Sequence, residues 1–259
     1  MLTSLKSALV RLYRSITQPQ PPRRSGLNGF EAPSAEREIE YWGRRRPATD
    51  KEFWEYYAHG EDGMRNTRDL IATLEKLDLP PEFSLHEIGC NLGRNGYYIH
   101  QRFPHARLSG NDVNPEVEAR CREFFGDFAD VMRFEIVPTQ EWLEREVKAG
   151  RQYDVLVSVA HLIHVPDDSV EVLRKYIPQV VRRYLVLIES AGTHSPDSEW
   201  YKKWTTNANV HWFDRDYAGI FDTLELVSKE DQVRTRSGKQ YAIYVFKKPA
   251  PSEGAEGNS

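Results

Sequence analysis

Between residues 85 and 189 the chain alternates short apolar runs with amphipathic segments. The apolar runs predict strands at residues 85–90, 107–113, 133–137, 153–160 and 184–189. The intervening segments predict helices at residues 97–102, 115–125, 140–149 and 169–181. Strands that alternate with helices favour a parallel sheet with helices on both faces.

The two ends of this region have different patterns. Residues 224–234 and 239–247 predict an antiparallel hairpin with its turn at Ser237 and Gly238. Before the first strand, helices are predicted at residues 36–42, 50–57 and 67–77, and the last ends before Pro80 and Pro81. We therefore expect a helical cap over residues 36–82 and one α/β domain over residues 83–249.

The first 17 residues predict a basic amphipathic helix, with Leu2, Leu5, Leu9, Leu12 and Ile16 on one face. This helix suits packing against its own domain or a partner, which is the favoured interpretation, and its basic face also suits peripheral contact with an anionic membrane. A mitochondrial presequence would also be basic and free of acids here. Residues 18–35 are rich in Pro, Gly and Ser and predict a linker, and residues 250–259 predict a disordered tail.

The amino-acid composition and the net charge exclude some classes of function. Hydrophobic residues make up 39% of the 259 residues and the formal net charge is -4. No apolar run approaches the roughly 20 residues of a spanning helix, so a bundle of membrane spans is excluded. The mild acidity argues against nucleic acid as the main partner. The two cysteines, Cys90 and Cys121, form no CxxC pair, so we expect buried thiols, a reducing cytoplasmic compartment and no zinc site.

Candidate chemistry lies just after the predicted strands, where ligands bind in open parallel sheets. The loop from Gly89 to Gly96 has three glycines, and Asp112 follows about twenty residues later, as in sites that hold a ribose. A dinucleotide site would need a second glycine where Asn91 stands, so NAD fits poorly. Glu87 suits a ligand that carries a cationic amino group.

Three motifs resemble those of class I S-adenosylmethionine-dependent methyltransferases: E-I-G-C-N-L-G-R-N-G, N-D-V-N-P and Y-D-V-L-V-S-V-A-H-L-I-H-V-P. The resemblance implies a doubly wound, mostly parallel, seven-stranded Rossmann-like sheet with an antiparallel C-terminal hairpin. A closer similarity is to methyltransferases associated with nonulosonic acid and surface-polysaccharide synthesis. This second similarity depends on G-R-N, L-I-H-V, Glu189 and R-D-Y-A-G.

The resemblance also implies where the cofactor S-adenosylmethionine would lie. The methionine part would contact Glu87 and the turn residues Gly89, Cys90, Asn91 and Gly93, and Asp112 would hold the ribose. The segment after the third strand flanks the adenine in that family, so Thr139 and Gln140 are expected there, with Ala160 nearby. The family often has an acid in that segment, and this chain has none.

Two histidines follow the fourth strand, at the face where a methyl group would be transferred. His161 and His164 are candidates for a base that removes the proton of an acceptor hydroxyl, because imidazole titrates near neutral pH. The alternative is that His164 only packs or caps a helix. Asp167 and Asp168 would suit a divalent ion, but we favour solvated acids at a helix start and expect no metal.

The acceptor is expected to be a small molecule or glycan, through a hydroxyl of a saccharide or nucleotide-linked sugar. The candidate substrate contacts are Trp200, Trp204, Arg215 and Glu189. The tryptophans belong to an aromatic insertion at residues 194–213, which suits a sugar ring or a small satellite core. Two rivals remain: a nucleic-acid methyltransferase, whose usual Asn/Asp-Pro-Pro-Tyr-like motif is absent, and a non-catalytic scaffold at a membrane. The sequence leaves the oligomeric state open.

Overall fold

The computed structural model describes residues 35–43, 51–191, 213–234 and 239–250. The described part of the chain begins with three helices: α1 (Ala35–Gly43), α2 (Lys51–His59) and α3 (Glu61–Leu74). The predicted helix at residues 1–17, most of the linker, the tail and the hairpin turn lie outside the described residues. So does the aromatic insertion up to Trp212, with Trp200 and Trp204.

The strands of the α/β part are β1 (Ser84–Ile88), β2 (Arg107–Asp112), β3 (Arg133–Ile136), β4 (Tyr153–Val159), β5 (Val181–Ser190), β6 (Glu225–Arg234) and β7 (Lys239–Lys247). The helices between them are α4 (Arg94–Arg102), α5 (Val117–Phe125), α6 (Phe128–Val131), α7 (Thr139–Lys148), α8 (Asp167–Val180) and α9 (Tyr217–Ile220). A 3-10 turn covers Leu162–His164. Neither this turn nor α6 and α9 was predicted, because four residues or fewer carry no periodic pattern.

The seven strands form one sheet in the order β3-β2-β1-β4-β5-β7-β6. Strands β1 to β5 pair in parallel, and β7 pairs antiparallel with both β5 and β6. The strand order reverses between β1 and β4, which is where a doubly wound sheet opens a crevice at its carboxyl edge. The predicted sheet and its C-terminal hairpin are confirmed.

Apolar side chains cover both faces of the sheet. On one face, Trp54, Leu70 and Ile99 belong to a core that also includes Val155 and Val157 of β4. On the other face, Trp142, Leu173 and Phe221 pack in a core with Leu156 of β4 and Leu185 of β5. Successive β4 residues therefore enter opposite cores, as expected for a strand that is buried on both sides.

The two cysteines are free and buried, as predicted. None of the helices in the described ranges is long and apolar enough to cross a membrane. The division into a cap and an α/β domain stays an interpretation. In the structure, α1 to α3 line part of the crevice described next.

Candidate active site

A cavity of about 310 Å³ lies at the carboxyl edge of the sheet. The turns after β1, β2, β3 and β4 form its floor and sides. All three N-terminal helices contribute to its wall, with Glu38, Trp42, Trp54, Tyr57 and Asn66 among the lining residues. The cavity therefore lies between the sheet and the N-terminal helices, as a capped cleft requires.

The turn after β1 is held in a left-handed backbone conformation. Gly89, Asn91 and Gly93 have φ angles of 67°, 49° and 78°, and the N–H of Cys90 donates to the carbonyl of Asn111 over 3.0 Å. A Cβ on Gly89 would lie 2.3 Å from the His161 ring, so no side chain fits there. The predicted glycine turn is thus found, with its backbone facing the cavity.

Gly110 in β2 is a residue that the sequence analysis missed. A Cβ there would lie 2.6 Å from the Cβ of Cys90, so the turn can rest on β2 only because position 110 is glycine. A glycine inside a strand often marks such a close approach, and this signal was present in the sequence.

Asp112 ends β2 and faces the turn. Its Oδ2 accepts a hydrogen bond from the N–H of Asn91 over 2.9 Å, and its Oδ1 accepts one from the N–H of Asn114 over 2.9 Å. Burial raises the pKa of this carboxyl, and the backbone N–H groups oppose that effect. A carboxylate held at the cavity edge in this way can accept hydrogen bonds from the hydroxyls of a ribose.

Glu87 presents a buried carboxylate oxygen that no described residue contacts by a hydrogen bond. Its side chain is 3% exposed, and Oε1 accepts a hydrogen bond from Asn95 Nδ2 over 2.6 Å. Oε2 is buried and has no hydrogen-bond partner in the part of the chain that the structure describes, and Glu87 lines the cavity. Burial raises the pKa of Glu87 to about 7. An unsatisfied buried acceptor is costly, so the site suits a ligand that brings a donor, above all a cationic one.

The partners of Glu87 connect it to the N-terminal helices. Thr67 on α3 donates to Asn95 Oδ1 over 2.6 Å, which directs the Asn95 amide hydrogens to Glu87. Arg94 Nε donates to Thr67 Oγ1, and Arg94 Nη1 donates to the carbonyl of Tyr57 on α2. This network does not follow from the sequence pattern, because it depends on contacts between elements far apart in the chain.

Both predicted histidines line the cavity. His161 Nε2 lies 3.1 Å from Thr139 Oγ1, and burial lowers the pKa of His161 to about 4. The ring of His164 packs against that of Trp42 on α1, with centroids 4.8 Å apart. Gln140, Thr139 and Ala160 also line the cavity. The roles of all these residues stay predictions.

Glu189, a predicted substrate contact, holds the turn that carries the two histidines. It is fully buried at the end of β5 and is not among the residues that line the cavity. Oε1 accepts hydrogen bonds from Ser158 Oγ and from the N–H groups of His161 and Leu162, and Oε2 accepts one from the N–H of Ile163. The predicted contact with substrate stays a prediction.

Arg215, another predicted substrate contact, supports the same turn. Its Nη1 donates to the carbonyl of Leu162 over 3.1 Å, its Nη2 donates to Asp167 over 2.6 Å, and its guanidinium covers the ring of Phe213. It is not among the residues that line the cavity, and its predicted contact with substrate stays a prediction. The next residue, Asp216, accepts from the N–H of Ala218 and caps the start of α9.

Asp167 begins α8, its side chain is 82% exposed and it pairs with Arg215. Within the described ranges, no group of three or more His, Cys, Asp or Glu side chains is arranged to hold a metal ion. Trp200 and Trp204, the other predicted substrate contacts, lie outside the described residues.

Comparison with known proteins agrees with the fold. No protein-family model matches the chain. Trans-aconitate 2-methyltransferase from Streptomyces avermitilis is 30% identical over 112 residues, which is 43% of this chain and 40% of that protein. The matched segment thus spans about two fifths of that relative's length.

Solved structures match over more of the chain. Geranyl diphosphate C-methyltransferase from Streptomyces coelicolor, in complex with Mg²⁺, geranyl diphosphate and S-adenosyl-L-homocysteine, is 13% identical with a TM-score of 0.57, covering 84% of this chain and 100% of that one. N-methyltransferase NodS from Bradyrhizobium japonicum, in complex with S-adenosyl-L-homocysteine, is 16% identical with a TM-score of 0.55, covering 77% and 98%. The chain therefore has the Rossmann-like fold that these S-adenosylmethionine-dependent methyltransferases share.

Proposed function

We propose that this protein is an S-adenosylmethionine-dependent methyltransferase that acts on a small-molecule acceptor. The Oε2 of Glu87, which has no hydrogen-bond partner among the described residues, carries the proposal, because Glu87 lines a cavity that the glycine turn and Asp112 also line. The ammonium group of the methionine part would satisfy this oxygen and neutralise its charge. A diphosphate would place further negative charge beside Glu87 and Asp112, so a dinucleotide is disfavoured.

The remaining residues fit the other parts of the cofactor. Gly89, Cys90, Asn91 and Gly93 would surround the methionine part, and Asp112 would accept from the ribose hydroxyls. Gln140 is the better candidate for the adenine amine, because the hydroxyl of Thr139 is already bonded to Asn111 and His161. When bound, the cofactor supplies a methyl group on a sulfonium, and the protein's task is to align the acceptor with it.

For the acceptor we propose a hydroxyl of a saccharide or nucleotide-linked sugar. The sequence motifs G-R-N and L-I-H-V support this class, and so do the aromatic residues Trp42, Tyr56 and Tyr57, which line the cavity together with polar groups. A sugar ring has one apolar and one polar face and suits such a lining. His161 and His164 are the candidate bases for a hydroxyl acceptor.

An amine acceptor is the second candidate. In addition to the proposed cofactor residues, the cavity is lined by two carboxylates, Glu38 and Asp62. They would attract a cationic amine, whereas a sugar hydroxyl gains little from their charge. Cytoplasmic location and membrane contact through residues 1–17 stay proposals. Liposome flotation of the full chain and of a chain without those residues would test the membrane contact.

Calorimetric titration with S-adenosylmethionine tests the cofactor. We expect binding to the parent protein and about 10- to 100-fold weaker binding to Asp112→Ala, since hydrogen bonds to a charged group contribute roughly 1.5–3 kcal/mol. Asp130→Ala is the matched control, because Asp130 is exposed and pairs with Arg122. The absence of heat from the parent protein would end the proposal.

The acceptor class requires a second measurement. Transfer of a labelled methyl group is followed with separate panels of nucleotide-linked sugars, free saccharides and small amines. Transfer to the sugars supports the hydroxyl proposal, and transfer to the amines alone replaces it with the second candidate.

A further inference from the structure

A line of buried polar side chains runs from the interior of the sheet to His161. His86 lies in β1 and its Nδ1 is 2.9 Å from Ser109 Oγ, while its Nε2 is 3.1 Å from Asn111 Oδ1. Asn111 Nδ2 lies 3.3 Å from Thr139 Oγ1, which in turn lies 3.1 Å from His161 Nε2. Asn111 is 1% exposed and Thr139 is 4% exposed. Such a line fixes the position of hydrogens as well as of side chains.

The orientation of the Asn111 amide follows from one contact. Asn111 Nδ2 lies 3.1 Å from the carbonyl oxygen of Val137. A carbonyl can only accept, so the NH₂ group must be on this side and the amide oxygen must face His86. The second hydrogen of the NH₂ group is then directed at Thr139 Oγ1.

The hydroxyl of Thr139 transmits this direction to His161. Its oxygen accepts from Asn111, and among the described residues the acceptor available to its own hydrogen is His161 Nε2. If the ring donated through Nε2 instead, the buried hydroxyl hydrogen would have no acceptor in this part of the structure. An unsatisfied buried donor costs about 1–3 kcal/mol, so the hydroxyl donates and the ring accepts.

We propose that Asn111 and Thr139 are positioning residues that hold neutral His161 in the tautomer with its proton on Nδ1. The Nε2 lone pair is then occupied, and Nδ1–H is the polar group that the ring offers at the side where it packs on Gly89. Burial lowers the pKa of His161 to about 4, which agrees with a neutral ring at pH 7.

The catalytic meaning of this assignment depends on the proposed function. A ring with its lone pair bonded to Thr139 supplies a hydrogen-bond donor and not a base. Of the two histidines past β4, His164 then remains as the candidate base for a hydroxyl acceptor.

Nitrogen-15 NMR of the histidine side chains in the unliganded protein tests the tautomer directly. We expect the His161 signals, assigned by their loss in His161→Gln, to show a pyrrole-like Nδ1 and a pyridine-like Nε2 at pH 7. Thr139→Val removes the hydroxyl, and the His161 Nε2 signal of this variant is expected to shift towards the pyrrole-like position. Thr139→Ser keeps the hydroxyl and is expected to retain the parent shifts.

Two results would overturn the assignment: a pyridine-like Nδ1 in the parent protein, or parent-like shifts in folded Thr139→Val. The parent spectrum decides the tautomer even if Thr139→Val does not fold, which circular dichroism would reveal. No cofactor or acceptor is used, so failure of the tautomer assignment and failure of the proposed methyl transfer are separate results.

Discussion

The proposed contact between Glu87 and the ammonium group of the cofactor makes binding depend on the charge state of Glu87. In the unliganded protein burial raises its pKa to about 7, so below that pH the carboxyl is mostly neutral. A ligand ammonium favours the ionised form, and binding below pH 7 therefore releases a proton. We predict that the affinity for S-adenosylmethionine rises about tenfold from pH 5.5 to 6.5 and levels off near pH 7.

The matched variants for this prediction are Glu87→Gln and Glu189→Gln. Burial also raises the pKa of Glu189 to about 7, but Glu189 is not a cavity-lining residue. Calorimetry between pH 5.5 and 7 should give a flat, weaker affinity for Glu87→Gln and the parent slope for Glu189→Gln. A parent slope in Glu87→Gln would show that another group takes up the proton.

Residue type and position predict some of the residues that line the cavity and not others. The positions of Glu87, Gly89 and Asp112 at the cavity follow from the sequence, because each lies at or just after a strand end, where ligands bind in a parallel sheet. Glu189 has the same position on β5, yet the N–H groups of the 3-10 turn fold inward onto it. The direction of a short unpatterned turn is set by tertiary contacts, which the sequence pattern does not carry.

At the level of elements, the turn after β1 depends on a glycine for two separate reasons. Gly89 has a φ of 67°, and a Cβ there would meet the His161 ring at 2.3 Å. Gly150, between α7 and β4, has a similar φ of 65° but open space around the Cβ position. Alanine substitutions at Gly89 and Gly150 therefore separate the free-energy cost of backbone strain from the cost of the contact with His161.

We predict that Gly150→Ala lowers the free energy of unfolding by about 1–2 kcal/mol, the cost of a left-handed alanine. Gly89→Ala should cost about 1–3 kcal/mol more, because the side chain overpacks the turn against His161. Urea denaturation measures both values. Equal losses in the two variants would mean that the His161 ring moves away freely and does not constrain the turn.

The elements themselves were largely predictable, and the exceptions have physical causes. The strands at residues 107–112 and 239–247 closely match the bounds predicted from the apolar pattern. Such a pattern arises when a strand is buried on both faces, or when buried and exposed side chains alternate along it. Helix α3 begins at Glu61, six residues before the predicted start at residue 67. Gly63 weakens the helical signal in its first turn, and its missing side chain leaves room for Arg94, whose Nη1 would lie 2.0 Å from a Cβ.

For the whole molecule, two kinds of buried titratable group change the free energy of unfolding in opposite directions as pH changes. The pKa values of Glu87 and Glu189 rise from 4.5 to about 7 on folding, so their stabilisation is complete below pH 4.5 and is lost as pH rises towards 7. The pKa values of His86 and His161 fall from 6.5 to about 3 and about 4, so their stabilisation is complete above pH 6.5 and is lost as pH falls. Between pH 5 and 6 the folded state holds about two extra protons on the glutamates and about two fewer on the histidines.

This balance predicts a free energy of unfolding that changes little between pH 5 and 6 in the parent protein. Glu87→Gln removes one of the glutamates, so the contribution of the two histidines exceeds that of the remaining glutamate. The free energy of unfolding of this variant should therefore increase by about 1 kcal/mol from pH 5 to pH 6. Urea denaturation of the unliganded protein at both pH values measures the difference, and comparison with the parent cancels contributions from the rest of the chain. Glu118→Gln, at an exposed position on α5, should keep the parent slope. A Glu87→Gln slope equal to the parent's would mean that Glu87 is already ionised at pH 5, and the unpartnered oxygen would then have to be stabilised within the protein itself.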